Sequence, residues 1–411
     1  MEKLNITPWE VSGELNDSAY SKLVEKFGVD LINDNLLNRI RKISKGNLHP
    51  LLKRKVFFAH RELNLVLDDY ENNRPFYLYT GRGPSGKMHI GHLLPFTFTL
   101  WLQKTFGVDL LIQMTDDEKF LIGGKEKSEI EKFTNDNILD IISLGFDPKK
   151  THIIADYKSA KTLYYYATDV AKHITVSTVK AVFGVNDSDN IGKVFFPSMQ
   201  ITPAFLLSAL SGKKMRCLIP YAIDQDPYFR VARDVLPKLG YYKPSAIISK
   251  FLPALQGNSA KMSSSKEESA IFLEDSKEQV RKKLMKYAFS GGKDTLEEQR
   301  KYGANPDIDF AFLEYSFLEE DQGKVDKVYQ DYKSGKILSG EMKEMAAEKI
   351  SSFLEELKTK KEKMKDRVEE YLFDPEKIKE KKKINRCLIL RTSLENLDIC
   401  RRLTWKMNNI R

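Results

Sequence analysis

The sequence predicts an α/β protein: a parallel sheet flanked by helices, with a mostly helical N-terminal extension before it and a helical C-terminal domain after it. Three observations carry this reading. Between residues 76 and 275 the short apolar runs FYLYT, DLLIQMT, THIIA and RCLIPYAI are each closed by glycine, aspartate or proline and alternate with helical stretches, the pattern of βα units. Upstream, LINDNLLNRIRKI and RELNLVLDDY place apolar residues three and four apart, which suits short amphipathic helices. Beyond 276 the strand signal fades, and Ile350, Leu354, Leu357, Met364, Val368 and Tyr371 form one apolar stripe of core-packing character.

With 411 residues, 41% of them hydrophobic, the chain can bury full cores in two or three domains without disulfide or metal staples. Cys217, Cys387 and Cys400 lie far apart, with no CxxC spacing and no histidine beside them, which fits buried or tail thiols in a reducing compartment. MEKLNITPWE contains no apolar run of signal-peptide length, and no later window reaches a membrane span. A cytoplasmic address and no membrane partner are therefore expected. Net charge is +9, but residues 376–411 hold eleven Lys/Arg against four Asp/Glu, so +7 of it sits in that tail. A basic end either steers a polyanion or is a solvated tail.

In open α/β sheets ligands sit beyond the carboxyl ends of the strands, and two nucleotide signatures overlap after the first run. YTGRGPSGKMHIGH, residues 79–92, contains GRGPSGKM, nearly a P-loop. Its magnesium-binding hydroxyl position is Met88, a poor ligand for a hard cation, and Pro84 removes one amide from the phosphate nest. The competing reading is strand, glycine-proline turn, then HIGH opening a helix. His89 and His92 then share a face near the positive helix start, and Gly91 leaves room for a flat base. A second element, KMSSS at 261–265, follows His92 by 169 positions. Lys261 could reach outer phosphates there, and its serines could wrap them in a closing loop. Taken singly, the lysine with serines is a solvated turn; with HIGH, in this order, the pair looks like the two signatures of class I aminoacyl-tRNA synthetases.

FFAHRELNLVLDDYENNRPFYLYTGRGPS, IQMTDDEKF, FGVNDSDNIGK, FPSMQITPAF, CLIPYAIDQDPYFR, FLPALQG, KMSSS and AFSGGKDT extend the likeness. Over most of residues 1–375 the chain resembles the eukaryotic-type tryptophanyl-tRNA synthetases, and even PWEV resembles the family's extension over the ATP site. The resemblance implies a class I Rossmann-like catalytic domain over 76–275, an N-terminal extension over 1–75 partly covering the ATP site, and a helical anticodon-binding domain over 276–375. The basic tail, 376–411, receives no role from it. The implied reaction activates L-tryptophan with ATP and passes the acyl group to tRNA(Trp). Magnesium would be held mainly by the ATP phosphates, and the enzyme would be a homodimer with no DNA partner.

By the same resemblance Tyr79 and Gln113 receive the indole N–H, which a selective pocket must meet with an acceptor in an otherwise apolar cavity. Glu118, Gln200 and Gln225 receive the ammonium, and Lys119 lies near the carboxylate. Asp224 receives ribose hydroxyls. Arg82, Gly83, His89, Gly91, His92, Lys261, Ser263, Ser264 and Ser265 form the ATP set, with His89, His92 and Lys261 stabilising the transition state electrostatically. Without the resemblance, TDDEK would read as a solvated turn or a metal site, and DSDN at 187–190 as a polar turn. The chain departs from the family between GRGPS and MHIGH, where only Gly86 and Lys87 replace the usual three residues, and in FLIGGKEKSEI. A tyrosine-specific sister, a P-loop ATPase and a catalytically silent tRNA-binding relative remain as alternatives.

Overall fold

The computed structural model of the chain describes residues 5–6, 11–12, 17–261 and 267–379. A small antiparallel ladder pairs β1 (Asn5–Ile6) with β2 (Val11–Ser12). The main sheet has seven strands, β3 (Asp30–Leu31), β4 (Phe57–Arg61), β5 (Phe76–Arg82), β6 (Leu110–Met114), β7 (Thr151–Ala155), β8 (Arg216–Ala222) and β9 (Ser245–Ser249), in the spatial order β3-β4-β9-β8-β5-β6-β7. The five strands from β9 to β7 run parallel. β4 and β3 extend that sheet antiparallel at the β9 edge. A further hairpin pairs β10 (Pro253–Ala254) with β11 (Gly257–Lys261).

β6 is buried at every position, which is why DLLIQMT carries no apolar-polar alternation: a parallel strand covered on both faces reads as a continuous apolar run. The chain leaves β5 for β6 and β7 on one side, and β8 and β9 lie on the other. The crevice at the carboxyl ends of β5 and β8 is therefore the topological switch point, where such sheets bind ligands.

Two boundaries differ from the sequence reading. Residues 1–75 were expected as a mostly helical extension, yet Phe57–Arg61 is a strand of the main sheet, because FFAH is short, wholly buried and carries no period to distinguish it from a helical segment. The region after 276 is helical, from Lys277–Tyr287 to the 26-residue helix Ser339–Met364. It does not stand apart: one apolar core runs from Leu93 and Leu110 to Phe310, Ile350 and Tyr371. Residues 371–373 also join the β7 edge, where the Ile153 N–H donates to the Tyr371 carbonyl at 2.7 Å and the Phe373 N–H donates to the Ile153 carbonyl at 2.9 Å. The stripe of Ile350, Leu354, Leu357 and Tyr371 is buried, with Met364 and Val368 packed on it. Among the described residues no single helix is long and apolar enough to cross a membrane.

Candidate active site

The end of β5 delivers Tyr79 to Arg82, and the chain then turns through Gly83–Ser85 to His89, the N-cap of the helix Ile90–Phe106. His89 has extended backbone, φ −122° and ψ 167°. Its ring stacks on that of His92, centroids 3.4 Å apart, so the two histidines form one face at the helix start. The segment is stapled to the chain that follows KMSSS: the Ile90 N–H donates to the Ile271 carbonyl at 3.0 Å, and the Leu273 N–H to the Met88 carbonyl at 3.1 Å. Backbone hydrogen bonds thus tie the start of HIGH to Ile271 and Leu273, across some 180 residues of sequence. Ser263, Ser264, Ser265 and the side chain of Lys261 lie outside the described residues.

The P-loop alternative fails on geometry. Met88 is a core side chain, 1% exposed, and Lys87 ion-pairs with Glu274 at 2.5 Å on the surface instead of turning into a phosphate nest. Arg82 is held elsewhere. Its Nε donates to Asn137 Oδ1 at 2.6 Å, and Asn137 Nδ2 donates to the Gly86 carbonyl at 3.1 Å. The buried Asn137 therefore clamps both ends of the shortened loop. Burial pulls the Arg82 guanidinium down to about 10, so it stays cationic at neutral pH.

A cavity of about 350 Å³ opens at the switch point. Tyr79, Arg82, Gly83, Gly91, His92, Glu118, Lys119, Gln200, Asp224 and Gln225 all line it, among apolar walls that include Phe196 and Phe229. Lys119 Nζ and Glu118 Oε2 pair at 2.8 Å directly over Gly83, where a Cβ would stand 2.1 Å from Lys119 Cε. A side chain there would have to push the ends of Lys119 and Glu118 aside. A smaller cavity of about 70 Å³ shares Gly91, His92, Pro95 and Ala222 with the first and adds His89, Phe57, Lys250 and Leu252. Gly91 and His92 thus border both chambers.

Gln113 is not on the cavity wall. It is fully buried behind Tyr79, whose hydroxyl donates to Gln113 Oε1 at 2.5 Å and lies 3.0 Å from the Gln200 carbonyl. Gln113 Nε2 donates to both carboxylate oxygens of Asp156 at 2.9 Å. Asp156 was missed in sequence, although an aspartate directly after THIIA stands where a parallel strand offers its ligand-side residues. Asn137, mid-helix, carried no signal. TDDEK is not a solvated turn: Asp116 and Asp117 are buried with Asp156, their carboxylate oxygens within 4.8 Å of one another. The Tyr157 N–H donates to Asp116, the Glu118 N–H to Asp117 and the Gln113 amide to Asp156, which suits a donor-fed network. Burial raises all three acids, Asp116 to about 6 and Asp156 well above the carboxylate range.

Comparison with known proteins agrees with this geometry. The family model of tRNA synthetases class I (W and Y) matches residues 71–355. The tryptophan–tRNA ligase of Sulfurisphaera tokodaii is 48% identical over 381 residues, covering 92% of this chain and 98% of that protein. The human cytoplasmic tryptophan–tRNA ligase is 44% identical over 382 residues, 91% of this chain and 81% of its own. Among solved structures, the tryptophanyl-tRNA synthetase of Encephalitozoon cuniculi bound to tryptophan superposes with a TM-score of 0.82 at 38% identity, covering 89% of this chain and 99% of that one. With the switch-point crevice and these matches together, the chain belongs to the class I tRNA synthetases of the tryptophan and tyrosine family.

Proposed function

We propose that this enzyme is a tryptophan–tRNA ligase: it activates L-tryptophan with ATP, releasing pyrophosphate, and transfers the acyl group to tRNA(Trp). The observation that carries the choice of amino acid is the buried phenol of Tyr79 on a cavity wall shared with Phe196, Ile219 and Phe229. Its one hydrogen is taken up by Gln113, so it turns lone pairs toward the single N–H of an indole. Glu118, Gln200 and Gln225 on the wall suit an ammonium, and Lys119 a carboxylate.

ATP lies across Gly91 and His92, its adenine toward the chamber of Phe57 and Leu252 and its ribose toward Asp224. The tryptophan carboxylate is already a nucleophile, so no protein base is needed. His89, His92, Arg82 and Lys261 stabilise charge on the transferring phosphorus and the leaving pyrophosphate. Mg²⁺ would be held mainly by the ATP phosphates, where it would share the charge of the transferring phosphoryl group and the leaving pyrophosphate. The helical region 276–375 reads the anticodon, and translation in the cytoplasm is the setting. A homodimer is supported by apolar side chains left exposed on the adjacent helices Ala160–Ala171 and Ile191–Ile201, where the ring of Tyr164, 61% exposed, lies 6.1 Å from the Phe195 ring.

Pyrophosphate exchange into ATP, run with each aromatic amino acid in turn, tests the reading. Stimulation by tryptophan alone supports it, whereas stimulation by tyrosine or by no amino acid overturns it.

A further inference from the structure

We infer that Asp156 is a positioning residue for amino-acid selection: by fixing the side-chain amide of Gln113, it makes the buried phenol of Tyr79 an acceptor toward the cavity. The inference rests on the reading of Tyr79 and Gln113 as the pair that meets the indole N–H.

A glutamine amide has an oxygen end and an NH₂ end of nearly the same shape, and only its hydrogen-bond partners choose between them. Asp156 stands directly after β7, 1% exposed. Both its carboxyl oxygens lie 2.9 Å from Gln113 Nε2. Asp156 offers Gln113 only acceptors when it is ionised, or when its proton is directed to the neighbouring Asp117 carboxyl, whose oxygens lie within 4.8 Å; the NH₂ end of Gln113 is then drawn to it. Oε1 then faces the opposite way, 2.5 Å from Tyr79 Oη. The phenol has one hydrogen, and the two groups around it, Gln113 Oε1 and the Gln200 carbonyl, are both acceptors. Tyr79 must donate inward, and its lone pairs remain for the cavity. A reversed amide would aim an N–H at the phenol and compete with the indole for those lone pairs.

Asp156 is backed by Asp117, their carboxylate oxygens within 4.8 Å of one another, and Asp117 accepts from the Glu118 N–H at 2.7 Å. Glu118 lines the cavity, so one buried network connects the indole end of the pocket with a group assigned to the ammonium end.

The test compares activation of tryptophan with that of its analogue in which sulfur replaces the indole N–H, using pyrophosphate exchange. Gln113→Met should abolish the preference for tryptophan. If the preference survives, the assignment of Gln113 itself fails, and this result is separate from failure of Asp156. In Asp156→Asn the new side chain can meet Gln113 with either end, so the preference should fall roughly tenfold or more. The loss should appear in KM for tryptophan, with kcat/KM for the sulfur analogue and KM for ATP unchanged. The exchanged pair Gln113→Glu with Asp156→Asn turns the donor and acceptor around while keeping an acceptor against Tyr79, and should recover most of the preference. Equal losses for both amino acids in Asp156→Asn, or an exchanged pair with a preference as low as the single variant, overturn the proposal. If Asp156→Asn does not fold, the exchanged pair decides alone, since it conserves shape and one carboxyl: recovery supports the proposal, and absence of preference or failure to fold overturns it.

Discussion

Arg61 of β4 grips Asp226 through two parallel hydrogen bonds, Nε to Oδ1 and Nη2 to Oδ2, both 2.9 Å. Asp226 is fully buried, also accepts from the Tyr221 hydroxyl at 2.9 Å, and lies two residues past Asp224 on the cavity wall. The bidentate fork, the geometry in which arginine and carboxylate pair best, thus ties the antiparallel strand β4 to the turn that carries Asp224. Arg61 also donates to the carbonyls of Phe27 and Gly28, drawing the N-terminal helix Asp17–Phe27 to the same point.

Removing Arg61 leaves a buried carboxylate short of its main partner. Arg61→Ala should cost about 3 kcal/mol of stability, read as a lower denaturant midpoint. It should also raise KM for ATP more than KM for tryptophan, because the disturbed turn carries Asp224.

The two overlapping signatures make opposite demands on neighbouring residues. Lys87 is exposed and paired only with Glu274 among the described residues, so Lys87→Ala should leave exchange within about twofold, as surface changes usually do. His92→Ala should lower kcat about a hundredfold, with tRNA binding retained in a filter or gel-shift assay.

Asn137 holds Arg82 and Gly86 together without touching the cavity. Asn137→Ala should raise KM for ATP roughly tenfold and cost about 1–3 kcal/mol, since the buried Arg82 Nε loses its acceptor. KM for tryptophan should stay unchanged.

Glu314 is fully buried with no hydrogen-bond partner for either oxygen among the described residues, and burial raises it to about 8 from 4.5. A carboxyl whose folded-state pKa lies above the unfolded one contributes its stability fully below pH 4.5 and loses it as pH rises to about 8. Glu314→Gln should therefore match the parent near pH 4.5 and become the more stable protein at pH 9, by a few kcal/mol at most. Thermal midpoints across that range check the sign.

Much of the site was legible because its chemistry is local. HIGH starts a helix just after a strand, so residue type and position within a βα unit were enough to pick out His89 and His92, whereas Tyr79 and Gln113, at the ends of FYLYT and DLLIQ, were reached through the resemblance to the family. The sequence alone determined the fold class, the competition between two phosphate signatures and the failure of one at Met88. It could not reveal that FFAH joins the main sheet, that the helical region shares the catalytic core, or that Lys87 meets Glu274. Nor could it single out Asp156 and Asn137, since an aspartate after a strand and an asparagine within a helix have many uses. Their roles arise only when sheet register sets Gln113 beside Ile154 and helix packing brings Asn137 against Arg82. Such pairings are made between residues dozens of positions apart, where a partner's distance and burial, and not its type, decide what a side chain does.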